Sequence, residues 1–165
     1  MRAHGLLLAP LLATLAASGC YDAVHDQEVG ALGSDPAPPG PQHRPGQPCL
    51  VCHGGSGPAS LTLSTGGTVY DTQGQTTPSS GTVVTIEDVD GHFFNATTNQ
   101  VGNFFTTQSE FVPHFPIQMT VTSADGSVSQ SMLTHSSREG SCAACHQATP
   151  GPSSPGPVYL NTAKH

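Results

Sequence analysis

Gly81-Thr82-Val83-Val84-Thr85-Ile86-Glu87-Asp88, then after Val89 the pair Asp90-Gly91, then His92-Phe93-Phe94-Asn95-Ala96-Thr97: this stretch reads as two strands joined by a turn. β-branched and aromatic residues recur with period two, which suits a sheet with one buried face. Asp-Gly tolerates the positive φ that a tight turn demands. The same pattern runs outward through residues 60–133, which are rich in Thr, Ser, Val and Phe. It predicts strands at 61–71, 82–88, 92–97, 103–108, 116–123 and 127–133, with Asp125-Gly126 as a hairpin signal before the last. No convincing amphipathic helix interrupts them. Six or seven short strands without crossover helices predict an all-β chain, a small antiparallel β-sandwich flanked by irregular segments. The segment contains no Cys, so it is expected to fold by itself and to bind no cofactor.

Four stretches of this region occur in the order found in a known family: Gly67-Thr68-Val69-Tyr70-Asp71; Gly81 to Asp88; Gly102-Asn103-Phe104-Phe105; and Pro116-Ile117-Gln118-Met119-Thr120-Val121-Thr122 before Asp125-Gly126. Together they resemble the carboxypeptidase regulatory-like, or transthyretin-like, β-sandwich domain of secreted bacterial proteins. The resemblance spans about 70 residues, enough for a small core. It implies a structural or adhesive unit without catalytic residues.

Chemistry enters from the flanks. Cys49-Leu50-Val51-Cys52-His53 and Cys142-Ala143-Ala144-Cys145-His146 are two copies of CxxCH, the attachment signature of c-type haem. The spacing suits that chemistry because each thiol adds to one vinyl group while the adjacent His ligates the iron on its proximal side. Two covalent haems are therefore expected, on Cys49 and Cys52 with His53 and on Cys142 and Cys145 with His146. Two other readings of the pairs remain: thiolate zinc sites, which do not need a His after each pair, and local CxxC disulfides, which usually accompany a redox βαβ unit.

The N-terminus fits the compartment in which such haem is attached. Arg2 is followed by an apolar run from Leu6 to Leu15, broken by Pro10 and Thr14, and by Ala16-Ala17-Ser18-Gly19. This reads as a secretory signal over residues 1–19, too short for a membrane span. Ser18-Gly19-Cys20 resembles the lipobox of bacterial lipoproteins, which implies cleavage before Cys20 and lipidation of its thiol. Tyr21, rather than Asp, after Cys20 resembles lipoproteins not retained at the inner membrane, so an extracytoplasmic, outer-membrane location is expected, on either face. Several acyl chains on one residue give a stable anchor, whereas a single chain does not. One thiol for lipid and four for two haems accounts for all 5 Cys.

After residue 19 the chain carries three basic residues (Arg44, Arg138, Lys164) against eleven acidic ones, a formal charge of −8. Phosphate recognition needs basic patches, so nucleic acid is not an expected partner. A redox protein with a basic face is the natural complement, acting on encounter rate.

Residues 20–48 read as a lipid-anchored linker. Six prolines and three glycines between Gly33 and Pro48 exclude a helix or an inner strand, and an extended path of 16 residues would reach about 50 Å at about 3.1 Å each. Residues 49–59 form the first haem segment and 134–165 the second with its tail, whose Val158-Tyr159-Leu160 stands as a haem-edge cover or a mobile end. Second axial ligands are sought among His25, His43, His92, His114, His135, His165, Met119 and Met132. His135 and His114 lead because both lie in polar or Pro-bounded connections, whereas Met119 alternates with Ile117 and Val121 as a core residue would. Function is thus expected to be electron transfer by a lipid-anchored dihaem cytochrome rather than enzymic catalysis. The alternatives are a surface interaction or adhesion lipoprotein whose CxxCH pairs hold zinc, and a haem enzyme or sensor with one open iron.

Overall fold

The structure, a computed structural model, describes residues 22–162. The signal segment, Cys20 and His165 lie outside the described residues. Seven strands form two sheets: β1 Leu63–Thr72, β2 Val83–Glu87, β3 Phe93–Thr97, β4 Asn103–Thr107, β5 Gln118–Thr122, β6 Ser129–Ser131 and β7 Val158–Asn161. Their orders are β4-β1-β7 and β3-β2-β5-β6. Three short helices accompany them: α1 Ala23–Ala31, α2 Cys49–His53 and α3 Cys142–Cys145.

Period-two patterning explains the four-stranded sheet. On β2, Val84 and Ile86 share a face and are essentially inaccessible; the cross-strand partners of Val84 are Ala96 and Val121, and Ile86 sits opposite Met119. The second sheet answers with Val69, Phe104 and Leu160, so one core lies between the two layers. Each such large side chain contributes roughly 1.5–3 kcal/mol by leaving water. The turns behave as their residues require. Gly91 and Gly126 take positive φ, and the preceding carboxylates tie the chain. Asp88 accepts the N–H groups of Asp90 and His92 at 2.9 Å each. Asp125 accepts from Ser123 Oγ, Ser127 N and Ser127 Oγ, donors that hold its pKa down to about 2.

All six expected strands are present. The structure departs from the sequence reading in the two flanks. First, the tail supplies β7, which runs parallel to β1 with Val69 opposite Val158, Tyr70 opposite Tyr159 and Thr72 opposite Asn161. Upstream on the same chain, Gly66 N donates to Gly140 O at 3.0 Å. The all-antiparallel layout is thereby corrected, because β1 would otherwise present an open edge of unpaired backbone groups, and the core reaches beyond 60–133 to Leu160. Second, the segment before Pro48 is not an extended spacer. Its proline content denies it a ladder, but its carbonyls still accept: Asn99 Nδ2 donates to Pro41 O (2.6 Å) and Asn103 Nδ2 to His43 O (2.9 Å). Arg44 donates to Leu32 O, Gly33 O and Gln47 Oε1 at 2.6–3.1 Å, and Gly46 N donates to Thr68 Oγ1 at 2.7 Å. Ahead of it lies α1, capped by Asp22, whose carboxylate accepts from Val24 N and His25 N. No apolar periodicity announces that helix, and none of its residues is fully buried.

Candidate functional site

Both CxxCH motifs form single helical turns, and both rest on β1. Turn α2 begins at Pro48, whose fixed φ suits a helix entry; α3 follows Ser141, which is extended alongside Gly66. The contact points are neighbours in sequence. A Cβ on Gly66 would stand 3.3 Å from Cys49 Sγ, and one on Gly67 would stand 2.7 Å from Cys142 Sγ and 3.1 Å from the Phe104 ring. Successive strand residues face opposite ways, so Cys49 meets the outer face of the three-stranded sheet and Cys142 meets the face that carries Val69. An odd strand count suggests motifs at opposite ends of a sandwich; instead they flank one strand, because both crossings use the side-chain-free pair Gly66-Gly67. Gly67→Ala is accordingly expected to cost about 1–3 kcal/mol by overpacking, and Gly66→Ala less, read as the shift in thermal midpoint. Equal midpoints for the parent and Gly67→Ala would show that the second motif does not bear on β1.

The surroundings of the two motifs differ. Beside the first lies a cavity of about 680 Å3 lined by Cys49, Cys52 and His53 on α2, by Pro41, His43, Arg44 and Gln47 of the proline-rich segment, by Leu61 ahead of β1, and by Leu63, Phe104 and Phe105 of the sheet. Cofactor-sized ligands occupy pockets of roughly 300–1,000 Å3. His53 Nδ1 lies 2.8 Å from Leu61 O. A carbonyl only accepts, so Nδ1 carries the proton and Nε2 keeps its lone pair, the arrangement that orients a metal-binding imidazole. The first site therefore fits a haem: two thiols, one correctly tautomerised imidazole, an apolar wall and room.

At the second motif the same imidazole device recurs, with His146 Nδ1 2.9 Å from Gly156 O, but the adjoining space is only about 20 Å3, bounded by Gly46, Thr68 and Tyr70 on one side and Cys142, His146 and Val158 on the other. That holds about one water. Cys145 is exposed, while Cys142 turns inward and its thiol donates to Met119 Sδ at 3.7 Å. The His146 tautomer suits metal ligation, but the space does not enclose a haem and the Cys142 thiol faces the core, so a group carried by this motif would lie at the surface beside Cys145.

Burial pushes the Cys49 thiol up to about 11 and Cys142 up to about 12, the latter helped by the nearby Cys49. Such surroundings favour a neutral sulfur, thiol or thioether, over a thiolate. The four cysteines are free of disulfides. Among the described residues, the one group of three or more ligand atoms converging within 4.8 Å is Asp88, Asp90 and His114, not any set of motif thiols.

His114 belongs to that group: its Nδ1 is 2.6 Å from Asp90 Oδ2, which raises its pKa. Neither His114 nor His135, an exposed loop residue, lines the space beside either motif. The structure instead brings His43 to His53, with ring centroids 5.7 Å apart. His43 stands ten residues before His53 in a segment read as a spacer, and no local pattern singles it out. No family model, curated protein or solved structure matches the chain.

Proposed function

We propose that this chain is a dihaem c-type electron carrier, lipid-anchored through Cys20 in the outer membrane on its periplasmic or surface face. The observation that carries the reading is that His53, one helical turn from Cys49 and with Nδ1 tied to Leu61 O, opens onto a cofactor-sized cavity. When bound, haem supplies one-electron oxidation and reduction. The chain's part is to hold, orient and shield. Cys49 and Cys52 attach, His53 ligates, and the Pro41–His43 stretch with Leu63 and Phe104 keeps water from one face. The second motif, through the exposed Cys145 and the half-buried His146, is the side at which a redox partner makes contact. Because Gly66 and Gly67 seat the two motifs on one strand, exchange within the molecule becomes part of the reading.

The two-sheet body is scaffold, in line with its resemblance to carboxypeptidase regulatory-like sandwiches. Eleven acidic residues favour a partner with a basic face through encounter rate. The zinc alternative is disfavoured because tetrahedral sites need converging thiolates, and the motif donors do not converge. The test is the intact mass of the protein taken from the membrane fraction of a host that matures c-type haem. Two haems and an acylated Cys20 are expected; a haem-free chain with bound zinc would replace this reading with the surface-interaction one.

A further inference from the structure

We infer that the proline-rich segment is the distal wall of the first cofactor site and that His43 is the axial ligand opposite His53. The inference rests on the dihaem reading and assigns the group that completes it. Four independent observations meet at His43. Its ring lies 5.7 Å, centroid to centroid, from that of His53 at a 41° tilt; with metal–imidazole bonds of about 2 Å, two rings sharing one ion stand roughly 6 Å apart. Both rings line the same cavity of about 680 Å3. His43 Nδ1 is bonded to Gly40 O, so, as for His53, the proton sits on Nδ1 and Nε2 is left as the free donor atom. Two imidazoles with Nδ1 tied to carbonyls and Nε2 free beside one cavity are disposed as ligands of one metal.

The fourth observation concerns the segment that carries His43. A spacer has no need of fixed geometry, yet this one is pinned on both sides of the imidazole. Asn103 holds the His43 carbonyl, Asn99 that of Pro41, and Thr68 the Gly46 N–H. Arg44, next in the chain, adopts φ +50° and clamps Leu32 and Gly33 with its guanidinium. A non-glycine residue in the left-handed region persists only where its surroundings over-determine it. The remaining described imidazoles are placed otherwise: His92 and His114 face Asp88 and Asp90, His135 is exposed, His146 belongs to the second motif with Nδ1 beside Gly156 O, and His25 on α1 is not part of the cavity wall.

The test uses the full haem-loaded chain with haem counted by mass. His43→Ala is expected to retain two covalent haems while one haem equivalent passes from low to high spin and binds carbon monoxide on reduction. His43→Met should restore six-coordination with a Met-to-iron charge-transfer band and a raised potential at that haem. His25→Ala, His114→Ala and His135→Ala should leave the first haem as in the parent. The inference is overturned if His43→Ala keeps both haems in the parent spin state, if one of the other three produces the change instead, or if His43→Met holds two haems without a Met signature. A parent chain without haem is recognised by mass beforehand and removes the dihaem reading together with this one.

Discussion

Replacing Cys49 and Cys52 by Ala is expected to leave one covalent haem per chain instead of two, and replacing Cys142 and Cys145 by Ala is expected to leave the other one. On the proposed dihaem reading the effect is all-or-none, because each motif would supply both attaching thiols and the adjacent proximal imidazole. The two variants should differ in character. On that reading, loss of the first motif's haem removes the His43-facing group in the large cavity and leaves a spectrum from the second site alone. Loss of the second would leave the haem in the large cavity, at a further cost of about 1 kcal/mol because Cys142 also packs against Met119 and beside Gly67. Intact mass decides it: full haem content in either double variant would sink the assignment of that motif.

A second large effect is expected at the far end of the chain. Leu160 on β7 is 6% exposed within a core that also holds Val69, Val84, Ile86 and Phe104. Leu160→Ala should destabilise by about 2–5 kcal/mol, a large share of the roughly 5–15 kcal/mol typical of a folded domain. A chain ending at residue 133 goes further. It loses Leu160, the parallel pairing of β7 with β1 and the Gly140 carbonyl that receives the Gly66 N–H, and is expected to show no cooperative transition. Urea unfolding followed by circular dichroism measures both. A cooperative melt of the shortened chain would mean that β1 to β6, with one edge of β1 open, suffice as a core.

Strand legibility follows from where the information is stored. For β2 with β3 and for β5 with β6 the partners are consecutive in the chain, and Asp-Gly marks the reversals at 90–91 and 125–126. Strand β7 offers only Val158-Tyr159-Leu160-Asn161 after Pro157. Its partner, β1, lies about 90 residues upstream, and three apolar residues carry no period. The proline-rich segment was legible as to what it cannot form; the hydrogen bonds that fix its course come from Asn99, Asn103 and Thr68, whose amides and hydroxyl reach it only after β4 has paired with β1.

At the candidate site the division is the same. Cys49, Cys52, Cys142, Cys145, His53 and His146 were proposed from the sequence alone, because the proposed attachment and proximal ligation need residues at fixed local spacing, and each motif does form a single helical turn. The all-β class was determined there, by period-two patterning and turn glycines. Only the tertiary structure decided that both motifs sit on one strand at Gly66 and Gly67, that one lies beside a large cavity and the other at the surface, and that His43 rather than His114 or His135 faces His53. These are relations between segments that meet only once β1 is paired, and the distance between two side chains on such segments is encoded in the packing of the whole chain rather than in the spacing of either one.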